Sequence, residues 1–337
     1  MKRILIVGVN WFGDALMLTP APRALKENFP DCYVAIMAVE RVRDIFEDNP
    51  YVDEVIVFDE KKSQRSLRSK LRFIRELKQK QFDTVFLVHR SFTRALICYL
   101  AGIKERIGYR RLKNAFILTK KIAVLATREG HRQDYYLNLF EQSGIPCKNK
   151  IPQFFIPDTI RRRSSTLVQT FSGSHQYVIG VHVAANWQPK RWPALHFAEL
   201  CDRLIQDLNA AVVLTGAEAD RGAVDEVLAA MREKPYDLCG KTTVKQLAAV
   251  MEQMNCFVSA DSGPAHLAAA VGIPTLILFG PTKEAITAPR GSRVITLRKS
   301  DSCQAPCYNE RCQDNVCMTA ISVDDAYQKI KEILIYE

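Results

Sequence analysis

Short apolar, β-rich runs alternate along the chain with longer runs in which apolar positions recur every three or four residues, and this alternation happens twice. In the first half, RILIVGV, CYVAIMAV, EVIVFD and TVFLVH read as strands, separated by helical stretches such as APRALKENF and SLRSKLRFIRELKQK. In the second half, YVIGVHV, AAVVLTG, CFVSAD and PTLILFG alternate with HFAELCDRLIQDL, AVDEVLAAMRE, TVKQLAAVMEQM and PAHLAAAVG. The strands are apolar throughout rather than every second residue, which marks parallel strands covered on both faces. The pattern therefore predicts an α/β fold with two Rossmann-like parallel sheets, joined near IPDTIRRRSSTLVQTFSGSHQ, with a cleft between the two domains. Ligand sites are expected at the carboxyl ends of the strands in each sheet. The last segment, SVDDAYQKIKEILIYE, predicts a capped amphipathic helix with Ser322 as its N-cap.

Length agrees with two domains: 337 residues exceed one typical core. The expected boundaries are residues 1–165, 166–320 and a C-terminal helix over 321–337. No apolar run approaches the ~18 residues that cross a bilayer. The apolar run behind the N-terminal Lys-Arg pair is short and leads into a turn. It reads as a core strand rather than a signal peptide, and a cytoplasmic location is expected.

Charge changes the picture. Residues 1–170 hold 31 Lys+Arg against 18 Asp+Glu, a net of +13, and the rest hold 16 against 19, a net of −3, which together give the +10 of the chain. A basic half points to an anionic partner: nucleic acid, a phosphorylated substrate or a membrane surface. The stretch KKSQRSLRSKLRFIRELKQK concentrates this charge, with nine basic residues and one acid. Leu67, Leu71, Ile74 and Leu77 recur at helical spacing there and read as the face docked on the sheet, leaving the basic face to solvent or to anionic lipid. Nucleic acid is disfavoured, because the basic helix carries one aromatic and no helix-turn-helix, RNA-recognition or zinc-finger pattern appears. Arg90, Arg94 and Arg106 are candidates for phosphate or carboxylate groups of an anionic substrate.

Two turns carry candidate chemistry. After the first strand the chain reads Gly-Val-Asn-Trp-Phe-Gly-Asp, too poor in glycine for a dinucleotide turn. It places the Asp14 carboxylate at the mouth of a helix. From the residues alone, Asp14 reads either as an acid favoured by the helix dipole or as a base. In the second half, VSADSGPAHLAAAVGIPTLILFGPT ends a strand at Asp261, turns through Ser262 and Gly263 and starts a helix, with His266 in its first turn. Free N–H groups at such a helix start suit a pyrophosphate.

This second stretch resembles the donor-site signature of glycosyltransferase family nine, the ADP-heptose:lipopolysaccharide heptosyltransferases. NWFGDALMLTPAPRALKENFP, HVAANWQPKRWPALHFAEL and VVLTGAEAD agree with the family in the same order, and CQAPCYNERCQDNVCM resembles a segment of its heptosyltransferase II branch. The likeness runs from residue 4 to about residue 325. It implies a GT-B architecture, two facing Rossmann-like domains with parallel sheets and an interdomain cleft, the acceptor on the first domain and the nucleotide sugar on the second. It implies inverting transfer of heptose from ADP-L-glycero-D-manno-heptose to the inner core of lipopolysaccharide, with Asp14 as general base. The acceptor would be a phosphorylated lipid A–Kdo-type glycolipid on the cytoplasmic face of the inner membrane, and the enzyme peripheral on that anionic surface. No cofactor is implied for the chemistry. By the same resemblance Lys190 meets the donor phosphates and Glu218 the adenosine ribose. Thr242 would line the adenine, and Asp261, Ser262, Gly263 and His266 would complete the diphosphate and sugar contacts. The chain departs from the family at Ala184, Ala185 and Asn186, where hydroxyl residues occur in some members; backbone N–H groups and Asn186 are the substitutes on offer.

Ten cysteines in a chain without an export signal are expected to be reduced. Four of them, Cys303, Cys307, Cys312 and Cys317, fall within fifteen residues. Four thiolates offer a structural zinc site, although the spacing is not the paired C-x2-C of zinc ribbons. A reduced loop staple and disulfides stand as the alternatives.

Overall fold

The computed structural model describes residues 2–110, 115–124, 130–299, 303–307, 309, 312 and 314–335. Residues 308, 310, 311 and 313 of the cysteine segment and the last two of the helix expected over 321–337 lie outside them. The chain divides into two compact units, Met1–Phe155 and Ile156–Glu337.

The first unit runs β1 (Arg3–Val7), α1 (Phe12–Leu18), α2 (Pro20–Asn28), β2 (Tyr33–Ala38), α3 (Asp44–Glu47), β3 (Glu54–Val57), α4 (Leu67–Gln79), β4 (Thr84–Leu87), α5 (Phe92–Leu100), β5 (Glu105–Tyr109), β6 (Lys120–Ile122) and α6 (Arg132–Glu141). Its six strands are all parallel, in the order β3-β2-β1-β4-β5-β6. The core follows from the two-residue period of a strand. Leu5, Val7, Ala35, Met37, Val85 and Leu87 face Phe73 and Leu77 of α4 and Ala95 and Cys98 of α5. The intervening residues are buried on the other face, where Phe86 stacks on Phe140 of α6 at 4.4 Å between ring centroids.

The second unit runs α7 (Asp158–Ser172), β7 (Tyr177–His182), α8 (Ala194–Leu208), β8 (Ala210–Thr215), α9 (Arg221–Ala230), β9 (Tyr236–Asp237), α10 (Val244–Met251), β10 (Cys256–Ala260), α11 (Gly263–Val271), β11 (Thr275–Leu278), α12 (Glu284–Thr287), β12 (Val294–Leu297), α13 (Val316–Thr319) and α14 (Val323–Ile335). This sheet is also all parallel, in the order β12-β11-β10-β7-β8-β9. Both sheets thus reverse strand order beside their first strand. The crevice that such a reversal opens is where α/β sheets bind ligands: between β1 and β4 here, and between β7 and β10.

The structure corrects three expectations. The expected joining segment is helical: α7 packs on α10, its Ser164, Val168 and Phe171 are buried, and the units part before it, at 155/156 rather than 165/166. The C-terminal helix is part of the second unit, because Ala326, Tyr327, Ile330, Ile333 and Leu334 of α14 join the core formed with α8. Its start is fixed by Ser322, whose Oγ accepts from the Asp325 N–H at 3.1 Å while Asp325 Oδ2 accepts from the Ser322 hydroxyl at 2.7 Å. On α4, only Leu77, Phe73 and in part Ile74 face the sheet; Leu67 and Leu71 are 73% and 46% exposed.

Candidate active site

Asp14 lies in the first turn of α1, as its third residue, and its side chain is only 11% exposed. The loop before α1 is held at three points. Arg94, near the start of α5, donates to Gly8 O at 3.3 Å and to Asn10 Oδ1 at 2.9 Å. His89, just past β4, meets Asn10 Nδ2 through Nε2 at 3.0 Å. Arg41 donates to Asn10 O at 2.7 Å and lies over the Trp11 ring at 4.6 Å. Burial, then the charges of Arg94 and Arg90, lower the His89 pKa to about 4, so this imidazole is neutral at physiological pH.

The three candidate arginines of this unit separate. Arg90, at the carboxyl end of β4, is exposed, with its guanidinium 5.0 Å from the Tyr135 ring centroid. Arg94 is buried, and its guanidinium serves the Gly8–Asn10 loop rather than a substrate. Arg106 sits at the amino end of β5 and donates to the carbonyls of Ile117 at 2.7 Å, Lys104 at 3.1 Å and Ile103. It is at the wrong edge of the sheet for a substrate. Charge count alone does not distinguish a guanidinium tied to carbonyls from one that faces solvent.

In the second unit two residues singled out at distant places in the chain meet. Lys190 ends a 3-10 turn after β7, and its Nζ donates to Asp261 Oδ2 at 2.6 Å. Thr282, past β11, donates to the same oxygen at 2.7 Å, a contact the sequence did not suggest. Asp261 is buried and meets the partly exposed side of this edge through Lys190. Ser262 is the N-cap of α11 in extended backbone but turns its hydroxyl to Ser259 Oγ at 2.7 Å, so its side chain does not cap the N–H groups of the first turn. His266 is buried in that first turn.

The loop over this edge runs through buried Ala184 and Ala185 to exposed Asn186, and Arg191 Nε closes it onto Ala185 O at 3.1 Å. Trp192 is structural: its Nε1 donates to Ile321 O at 2.9 Å and its ring packs edge-on against Phe197. Glu218 opens a 3-10 turn after β8 and is exposed. Its carboxylate lies over Gly240, which has φ +72°; a Cβ there would collide with Glu218 Oε2. Thr242 follows on the loop before the Thr243–Gln246 capping box of α10.

The four clustered cysteines are free. Among the described residues, no three His, Cys, Asp or Glu side chains are placed to hold a metal ion. The segment instead packs beside Lys190 and Thr282: Cys307 N–H donates to Pro281 O at 2.7 Å, Asn315 Nδ2 donates to Arg191 O at 3.0 Å, and Met318 and Cys317 press on Gly280.

In the second unit, a lysine beside the start of a helix at the switch point suits a phosphorylated ligand. The family model for glycosyltransferase family 9 (heptosyltransferase) matches residues 70–317, well over half of the chain. The chain belongs to glycosyltransferase family 9. It is therefore a glycosyltransferase. Lipopolysaccharide heptosyltransferase 2 of Salmonella typhimurium is 29% identical over 326 residues, 90% of this chain and 92% of that protein. Among solved structures, a family 9 glycosyltransferase from Veillonella parvula superposes with a TM-score of 0.88 at 24% identity, covering 100% of this chain and 98% of that one. The ADP-heptose LPS heptosyltransferase II of Escherichia coli superposes with a TM-score of 0.81 at 24% identity, covering 100% and 99%. The fold is that of these family 9 enzymes.

Proposed function

We propose that this family 9 enzyme transfers heptose, with inversion, from ADP-L-glycero-D-manno-heptose to the inner core of lipopolysaccharide. The observation that carries the reading is the meeting of Lys190 and Asp261, 71 residues apart, at 2.6 Å beside the start of α11. A lysine and a run of backbone N–H groups at one sheet edge stabilise the charge that builds on a departing diphosphate. Names and folds of relatives support the sugar: a lipopolysaccharide heptosyltransferase 2 and an ADP-heptose enzyme are among them.

In the proposed step Asp14 takes the proton of the acceptor hydroxyl as its oxygen bonds to the anomeric carbon. The bond from that carbon to the phosphate oxygen breaks on the opposite face, and its electron pair leaves with ADP. Lys190, Ser262, Gly263 and His266 hold the diphosphate and sugar, Glu218 the ribose, and Thr242 the adenine; Asn186 and the backbone of Ala184 and Ala185 border the same edge. Arg90 is the remaining cation for a phosphate or carboxylate of the acceptor.

The acceptor of such an enzyme is a phosphorylated glycolipid, and α4 offers a face for its membrane. Leu67 and Leu71 are exposed one turn apart beside exposed Arg68, Arg72 and Arg75, the arrangement that lies in an anionic interface. No helix among the described residues is long and apolar enough to cross a bilayer.

The test is turnover of Asp14→Asn, nearly isosteric but non-basic, with ADP-heptose and a heptose-lacking acceptor. Turnover should fall by about 10²-fold or more while ADP affinity holds, and the parent product should carry the inverted anomeric configuration by NMR. Near-normal turnover in the variant, or a retained configuration, would refute the mechanism. Salt-dependent DNA binding without ADP affinity would reverse the reading altogether.

A further inference from the structure

Asp14 does not stand alone at the start of α1. Helix α6 packs on α1 and brings two side chains to its carboxylate. Arg132 Nη1 is 3.5 Å from Asp14 Oδ1, with the arginine side chain 44% exposed. Tyr136, buried one turn further along α6, hydrogen-bonds Asp14 through its hydroxyl. Burial, and next the Asp14 charge, push the Tyr136 pKa far above its ordinary value, so the phenol remains a donor at any working pH. Arg90, past β4, is the further charge acting at the Tyr136 hydroxyl; Arg41, on the turn after β2, is engaged with Asn10 O and the Trp11 ring, and His89 is neutral.

A base on a helix needs two properties that the dipole alone does not supply. Its carboxylate must point at the acceptor hydroxyl, and it must remain ionised although it is nearly buried, where desolvation favours the protonated form. A phenol donor and a guanidinium reaching the same carboxylate supply both. Resting on Asp14 as the acceptor base, we infer that Tyr136 and Arg132 are positioning residues that fix the direction and the charge of its carboxylate. Neither takes the proton. The phenol limits the carboxylate's rotation, and the guanidinium favours its anionic form.

Removing either partner weakens the anionic form of Asp14, so the acid limb of the kcat/KM profile moves to higher pH. The experiment compares Tyr136→Phe, Arg132→Gln and Arg132→Lys with the parent across pH, with ADP affinity by calorimetry as the check on folding. In Tyr136→Phe and Arg132→Gln the acid limb should move up by roughly one pH unit, and kcat should fall about tenfold with KM little changed. Arg132→Lys, which keeps the cation, should return the limb toward the parent's. Arg132 is on the surface, so Arg132→Gln keeps the test open even if Tyr136→Phe folds poorly. Acid limbs in both variants that overlay the parent's, with kcat unchanged, beside an inactive Asp14→Asn, would overturn this inference alone. An active Asp14→Asn would remove the base and the inference together.

Discussion

Lys190 and Asp261 form an ion pair with 2.6 Å between Nζ and Oδ2, and Thr282 donates to the same carboxylate oxygen. The aspartate is nearly buried while the lysine retains a fifth of its exposure, so the pair holds a cation at Asp261, immediately before the N-cap of α11. In the proposed reading this lysine meets the donor's phosphates and not its nucleoside. Lys190→Ala should therefore weaken ADP, titrated calorimetrically beside UDP and GDP, by about 10-fold or more and adenosine hardly at all. Asp261→Asn should weaken ADP less, because the lysine survives but is no longer anchored. Equal losses of ADP and adenosine in Lys190→Ala would contradict the phosphate role.

Gly240 lets the Glu218 carboxylate lie against the backbone after β9, and its φ of +72° suits glycine for a second reason. A methyl group at this position has to displace Glu218. Gly240→Ala should weaken ADP and adenosine alike, as should Glu218→Ala, because the proposed function puts Glu218 at the ribose and the methyl group would displace it. The pair should be non-additive: once Glu218 is alanine, the methyl group has nothing to displace. Independent, additive losses would show that Gly240 matters for its backbone alone.

The central strands were legible because they are apolar over their whole length. The edge strands β6 and β12, and β5 next to β6, were not, since Glu105, Arg106, Lys120, Lys121 and Arg293 stand within or beside their short apolar runs. Asp14, Lys190, Glu218 and Asp261 each follow a strand's end closely, so sequence order already places them at a carboxyl edge. Arg132 and Tyr136 reach Asp14 only through the packing of α6 on α1, which no local motif encodes. Leu67 and Leu71 share the helical period of Leu77 yet lie on the far side of α4, because the register of a helix on its sheet is a tertiary choice.

His89 makes stability depend on pH. Its folded-state pKa lies near 4 against an ordinary 6.5, lowered by burial and by Arg94 and Arg90. The unfolded chain therefore takes up the proton first as pH falls. The stability linked to this imidazole is complete above about pH 6.5 and is lost progressively as pH falls toward about 4. Melting temperatures measured across that window should fall more steeply for the parent than for His89→Gln, which has no proton to gain. Parallel curves would show that the imidazole is already solvated in the folded protein.

The cysteine segment separates packing from metal binding. Cys317 is buried, and burial followed by the nearby Cys303, Cys312 and Cys307 raises its thiol pKa, so it is protonated at neutral pH. Cys303, Cys307 and Cys312 are half-buried, and the other six cysteines are buried. Thiol titration of the native protein should thus find at most three accessible groups, and all ten only after unfolding in denaturant. Protein purified without added metal should contain well under one equivalent of zinc. The segment's hydrogen bonds to Pro281 and Arg191 flank Thr282 and Lys190, so alkylating those three thiols should loosen ADP without touching a donor ligand. About one equivalent of zinc with sulfur ligands, together with a melting temperature lowered by chelation, would instead make the four thiols a metal site closed from a different arrangement of the segment.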